Sequence, residues 1–418
     1  MNSNRRKSHA LPGDVELKNV KGPLDGVKVL DLTRVLAGPF CTMILADLGA
    51  EVIKIERPGV GDDSRHFTPF IKGQSAYFIN INRGKKSIVI NLKHPKGKKL
   101  FLELVKKADV VVENFRPGTM ERLGLDYEVL KKVNPRIIYA SISGFGQYGP
   151  YRDRPAYDLI AQAMGGIMSI TGWPETPPTR VGTAIADILA GLYCCIAILA
   201  ALRAREITGL GQRIDIAMVD SVMASCEAYN EMWLVEKRIP TRIGNRYEFI
   251  YPYDSFRAKD GWIVIGVGNN EMWKRFCQAI GRPELIDDER FNTNEKRVKN
   301  YKEVKKIVEE WTSKRSTNET LSTLLKYEIP CAPVYNMKDV CEDEHIAKVR
   351  EMVVEIDQPG VGKVKIVGTP IKTYPIECKV RGAAPLLGQH TKEILKELLG
   401  LSENDVQRLK DEGVIYYP

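Results

Sequence analysis

One carboxylate stands alone in the most apolar stretch of the chain. Between Thr183 and Arg205 the sequence runs TAIADILAGLYCCIAILAALRAR, and Asp187 is the first charged side chain in it, with no other before Arg203. A lone ionisable group in so apolar a run calls for a role. As structure, Asp187 sits in the first turn of a buried helix capped by Thr183 and complements the helix dipole. As chemistry, it is a nucleophile. Helical spacing gives it Thr183, Ala184, Ala190 and Gly191 as neighbours, so its face is built from small residues that leave room for a ligand. Burial raises a carboxylate pKa and a helix N-terminus lowers it, so the place suits an ionised but poorly solvated carboxylate.

Other chemistries find less support. The eight Cys include the adjacent pair Cys194 and Cys195 but no CxxC, and the five His (His9, His66, His94, His345, His390) are scattered, so no metal is expected. The cysteines read as reduced core thiols. The first fourteen residues, MNSNRRKSHALPGD, lack an apolar core, and a cytoplasmic location is expected. The apolar run reads as a core helix, not a membrane span, because it carries Asp187 and no second span accompanies it. The net charge of +9 is spread along the chain without a basic tract, which points away from nucleic acid and toward a small polyanionic ligand.

The elements that must position Asp187 alternate in type. VKVLDL is an apolar strand, AGPFCTMILADLGA a helix with Pro39 in its first turn and Gly49 at its end, and EVIKIER a second strand. This βαβ unit lacks a glycine fingerprint in its first turn, and its second strand ends in Glu56 and Arg57; an Arg there suits a phosphorylated ribose. Strands over 87–92, 109–115 and 136–143 follow, with helices over 95–107 and from Asp126, and RPGTMERLG as a turn. GFGQYG after the last of these strands matches GxGxxG formally, but Pro150 and a charged stretch follow it where a helix should start, so no dinucleotide site is read there. Helices over 157–170 and 183–205, a strand over 211–217, a helix over 219–237 and a strand pair turning at Lys259, Asp260 and Gly261 complete the pattern. The expected fold class is α/β. A large nucleotide-binding-type domain with a mostly parallel sheet is joined to a smaller α+β domain: an extension at 1–22, the first part of the large domain at 23–215, the small domain at 216–328, and a segment at 329–418 that returns to the large one.

The segments LDGVKVLDLTRVLAGPFCTMILADLGAEVIKIERPGVGDDSR, NRGKKSIVINLKHPKGKKL, ENFRPGTMERLGLDYEVLKKVNPRIIYASISGFGQYGP and ADILAG…RAREITGLGQRIDIAMVD resemble, in order, the family III CoA-transferases, the formyl-CoA and carnitine CoA-transferase group. GDDSR, INRGKKSI, YPYDSFRAKDGWIVIGVGNNE and APLLGQHT are most similar to its succinate–hydroxymethylglutarate branch, which moves CoA between dicarboxylic acids. The resemblance implies that Asp187 is the catalytic aspartate. It implies CoA contacts at Ala37, Arg57, Asn91, Leu92, Lys93, Asn114, Phe115, Arg116, Arg122 and Tyr157. It also implies an interlocked homodimer. Arg57, Arg116 and Arg122 agree with the polyanionic ligand read from composition. Coenzyme A and acyl-CoA then enter as substrates, and no tightly bound cofactor is expected; the other partners are carboxylic acids. Arg34, Arg65, Arg83 and Arg180 stand beside the family motifs and are candidates for a distal substrate carboxylate, with Gly244 as the counterpart of a glycine run in formyl-CoA enzymes.

The chemistry implied is attack of Asp187 on an acyl-CoA, most naturally succinyl-CoA, giving an aspartyl anhydride and then an aspartyl-CoA thioester that a small dicarboxylate accepts. Leu36 stands where formyl-CoA enzymes carry Gln, which argues against oxalate and formyl-CoA. The alternative is an α-methylacyl-CoA racemase, whose His-Asp motif corresponds to Tyr157-Asp158 here. With no His between His94 and His345, transfer is expected over proton exchange.

Overall fold

The computed structural model describes residues 20–418, so the expected extension at 1–22 lies almost wholly outside the described residues. The chain forms two compact units. The first comprises the described residues up to Ile167, with Val181–Glu227 and Glu344–Pro418; the second comprises Met168–Arg180 and Ala228–Asp343. The smaller unit therefore starts at 228 and ends at 343, and takes in a loop ahead of the Asp187 helix.

In the first unit a seven-stranded sheet runs in the order Ile415–Tyr416, Lys86–Ile90, Glu51–Glu56, Lys28–Asp31, Val110–Glu113, Ile138–Ser143, Arg213–Ala217. All neighbours are parallel except the short Ile415–Tyr416 edge, which pairs antiparallel with Lys86–Ile90. Helices cover both faces of such a sheet, so its strands read as continuous apolar runs: VVVE of Val110–Glu113 and IYASIS of Ile138–Ser143 are buried along their whole length. One side of the core is built from Ile53, Ile88, Val111 and Tyr139 with Phe101, Leu104 and Ile394.

Local chemistry sets the helix ends. His94 caps Pro95–Val105 with Pro95 at its start, and the Asp126 carboxylate caps Tyr127–Val133. Three expectations are corrected. RPGTMERLG carries a helical turn, Thr119–Leu123, between Gly118 (φ 83°) and Gly124 (φ 69°). The helix expected over 157–170 is two, Asp158–Met164 and Ile167–Ile170, parted by Gly165 and Gly166. The helix expected over 219–237 breaks between Met218–Ala224 and Ala228–Leu234. There Ser221 and Ser225 donate their hydroxyls to carbonyls four residues back, at 2.8 Å each, and Glu227 is left-handed (φ 38°). Apolar periodicity runs across both breaks, and local backbone bonding ends the helices.

The second unit has a three-stranded antiparallel sheet, with Trp262–Gly266 between Tyr253–Arg257 and Cys331–Pro333. Phe256, Ile263 and Ile265 pack there on Trp273, Phe276, Val304 and Val308. These helix residues recur at spacings of three and four in otherwise charged helices.

Candidate active site

Asp187 lies in the first turn of the longest helix, Ile185–Thr208. Thr183 does not cap it. The cap is Ala184, without a side-chain bond, and the orphan N–H of Ala186 is taken instead by Asp158 Oδ1 at 2.8 Å. Asp158 Oδ2 accepts from Gln162 Nε2 at 2.7 Å, so one carboxylate ties its own helix to the start of the Asp187 helix.

The small residues around Asp187 serve packing more than ligand space. Ala186, Ala190, Gly191, Cys194, Ile198 and Ala201 form the buried stripe of the helix against Ala37–Asp47. A Cβ on Gly191 would stand 2.7 Å from the Ala37 carbonyl oxygen. Only glycine permits that approach. It brings the start of the Ala37 helix to the Asp187 carboxylate, so the room expected beside Ala190 and Gly191 is filled by protein.

Asp187 opens instead into a cavity of about 290 Å³ lined by Arg34, Val35, Leu36, Ala37, Asn114, Phe115, Arg116, Arg154 and Tyr157, among others. A second cavity of about 510 Å³ is lined by Thr33, Arg34, Arg57, Asn91, Leu92, Lys93, Phe115, Thr119 and Leu123. Arg34 and Phe115 line both. Together the two hold every CoA contact inferred from sequence except Arg122, whose guanidinium donates to Thr119 Oγ1 at 2.9 Å beside the larger cavity. They sit at the C-terminal ends of parallel strands, where open α/β sheets place ligands. Arg57 and Arg34 both reach Asp63, at 2.5 and 2.8 Å.

The substrate candidates divide. Arg34 is at the site. Arg83 is not: it is 2% exposed and paired with buried Asp47 at 2.6 Å, a core ion pair. Arg65 is held by both oxygens of Glu56, at 2.8 and 2.6 Å, and stacks on Phe78. Motif adjacency in sequence did not reveal those pairings. Arg180 and Gly244 belong to the second unit. There Gly244 is left-handed (φ 71°), donates to the Gly172 carbonyl at 2.9 Å and packs on Trp173.

Electrostatics set Asp187 apart. Burial first, and the nearby Asp158 charge second, push its pKa up from 3.8 to about 7, and the Ala37 N–H facing the carboxylate opposes the rise. Burial and the Asp187 charge push Tyr77 up to about 12. That phenol, on the Ala76–Ile81 helix, lies within reach of the Asp187 charge, and no sequence signal marked it. Arg154, also missed, lay in YRDRP, which reads as surface charge. Glu113, a buried carboxyl pushed up to about 7 by burial, accepts the Phe115 N–H at 2.7 Å and so fixes the loop that lines both cavities. GFGQYG opens no helix. The Gln147 N–H in it donates to Asp215 at 2.9 Å.

A polarised carboxylate thus faces a cationic cavity that joins a longer, phosphate-suited one. The description "CoA-transferase family III" matches residues 24–391. The chain belongs to the family III CoA-transferases. The enzyme is 43% identical over 394 residues to the succinyl-CoA:glutarate CoA-transferase of Mus musculus, covering 94% of this chain and 90% of that one. It is 45% identical over 379 residues to the acetyl-CoA:oxalate CoA-transferase of Acetobacter aceti, covering 90% and 96%, and 42% identical over 397 residues to the succinyl-CoA:mesaconate CoA-transferase of Haloarcula hispanica, covering 92% and 99%. Among solved structures a CAIB/BAIF family protein from Brucella suis superimposes with a TM-score of 0.80 at 41% identity, covering 90% of this transferase and all of that chain.

Proposed function

We propose that the enzyme moves CoA from succinyl-CoA to a small dicarboxylate through covalent intermediates on Asp187. The observation that carries this is the half-buried Asp187 carboxylate, raised to about 7, in the wall of a cavity continuous in its lining with the larger one. Asp187 attacks the thioester carbonyl and CoA leaves as the thiolate, giving a mixed anhydride. The thiolate then attacks the aspartyl carbonyl carbon, the donor acid departs, and an aspartyl-CoA thioester remains. The acceptor carboxylate reverses both steps. Succinyl-CoA and a dicarboxylate are supported by the relatives named for succinyl-CoA with glutarate and with mesaconate, and by Arg34, Arg116 and Arg154 around the Asp187 cavity. CoA contacts are assigned to Ala37, Arg57, Asn91–Lys93, Asn114–Arg116, Arg122 and Tyr157.

Racemisation would need a second acid/base group. Asp158, whose charge acts on Asp187, has both of its oxygens engaged, by Ala186 and Gln162. A homodimer is supported by the apolar side chains that the Asp187 helix leaves exposed: Leu192, Tyr193, Ile196 and Ile207.

Incubation with succinyl-CoA and hydroxylamine should leave a hydroxamate on Asp187, seen as a mass change on its peptide. Butyryl-CoA should be the poorer donor by roughly 30-fold or more in kcat/KM, the loss expected for a charged contact. Deuterium entering the α-carbon of a 2-methylacyl-CoA in D₂O faster than CoA moves would sink the transferase mechanism.

A further inference from the structure

Beside the nucleophile the backbone is strained. Val35 has φ 68°, in the left-handed region where a β-branched residue is an outlier. Such a conformation persists only where its surroundings over-determine it, and here five hydrogen bonds do so. The Thr33 N–H donates to Asp31 Oδ1 at 2.9 Å, and the Thr33 carbonyl accepts from Lys54 Nζ at 2.8 Å. Asn114 clamps the Arg34 backbone on both sides, at 2.8 Å each. The Val35 N–H donates to Asp62 Oδ1 at 3.1 Å.

Lys54 and Asp62 are themselves an ion pair, 2.8 Å apart, with side chains 0% and 1% exposed. Burial works against charge on both. Even so, Lys54 holds the Asp62 carboxyl far below its ordinary range, and Asp62 with Asp31 holds the Lys54 ammonium above its own, so the pair stays ionised. A buried pair of this kind is weak as a source of stability and better suited to fixing one geometry.

What it fixes is the lead into Leu36 and Ala37, which with Arg34 and Val35 line the Asp187 cavity. Lys54 lines neither cavity, and Asp62 lines only the larger one. We propose that the buried Lys54–Asp62 pair is a positioning device: it holds Val35 left-handed so that the Ala37 N–H stays aimed at the oxygen of Asp187 on which charge develops. When the CoA thiolate adds to the Asp187 carbonyl carbon, an S–C bond forms and the C=O electron pair moves onto that oxygen. Collapse returns the pair and expels the donor carboxylate. A donor held in place beforehand stabilises the oxyanion without reorganising. The proposal rests on the reading of Asp187 as nucleophile.

The test compares Val35→Gly with Val35→Asn. Both lose the valine side chain, but glycine frees the backbone whereas asparagine tolerates the left-handed conformation. In Val35→Gly, kcat with succinyl-CoA should fall about tenfold or more, as for loss of one oxyanion donor, with KM within about threefold and no loss of melting temperature. Val35→Asn should lose clearly less kcat than Val35→Gly, since both alter the cavity lining equally in losing valine but only asparagine retains the conformation. Asp62→Asn should lower kcat as Val35→Gly does. Wild-type kcat in Val35→Gly, or equal losses in the two Val35 variants, overturns the proposal while leaving the nucleophile reading intact. An active Asp187→Ala enzyme overturns both.

Discussion

Replacing Asp187 by Asn should abolish turnover and stabilise the protein at alkaline pH. A carboxyl whose pKa is raised from 3.8 to about 7 in the fold binds its proton more tightly folded than unfolded. The stability that proton contributes is fully present below pH 3.8 and is lost as pH rises through about 7. The rise from 3.8 to about 7 corresponds to a ceiling of about 4 kcal/mol. Asp187 is only partly enclosed, and solvent screening reduces this to about 2 kcal/mol. The isosteric Asn carries no charge at any pH and avoids the loss, including the repulsion from Asp158. Wild type and Asp187→Asn are therefore compared by thermal melting at pH 5 and pH 8. The variant's advantage should grow between the two, reaching roughly 2–4 °C at pH 8, while kcat falls by on the order of 10⁴-fold. An advantage that does not grow with pH would refute the burial argument. A variant retaining a tenth of wild-type activity would refute the nucleophile.

The same titration predicts that kcat/KM falls about tenfold per pH unit below pH ~7 and levels off above it, because only the carboxylate attacks; a flat profile from pH 5.5 to 8 would contradict it. Arg57→Ala should raise KM for acyl-CoA roughly tenfold with kcat within about threefold, the mark of uniform binding. Arg83→Ala should leave KM unchanged and lower the melting temperature, because it strands Asp47 in the core at a cost of about 3–5 kcal/mol. Gly191→Ala sets a Cβ 2.7 Å from the Ala37 carbonyl oxygen, so it should cost about 1–3 kcal/mol in stability, seen by thermal melting. It should also lower kcat, because it pushes the Ala37 amide from Asp187.

Sequence periodicity determined the alternating strands and helices of the first unit, because strands buried on both faces of a parallel sheet must be apolar throughout: VVVE and IYASIS are legible without coordinates. Asp187 stood out for the same reason, since a charge in an apolar run has no solvent to hide in. Residues that act through partners distant in the chain were not legible. Arg83 and Arg65 looked like substrate ligands until Asp47, 36 residues away, and Glu56 were seen to hold them. Gly191 looked like space for a ligand until the Ala37 helix was seen to fill it. Composition has no term for which cation finds which anion, or for which small residue admits a helix and which a substrate. Tertiary packing alone decided that Arg34, Phe115, Arg154 and Tyr157 meet at Asp187, and that Val35 is bent to bring an amide there. Such meetings depend on contacts between segments tens of residues apart, and no local spacing encodes them.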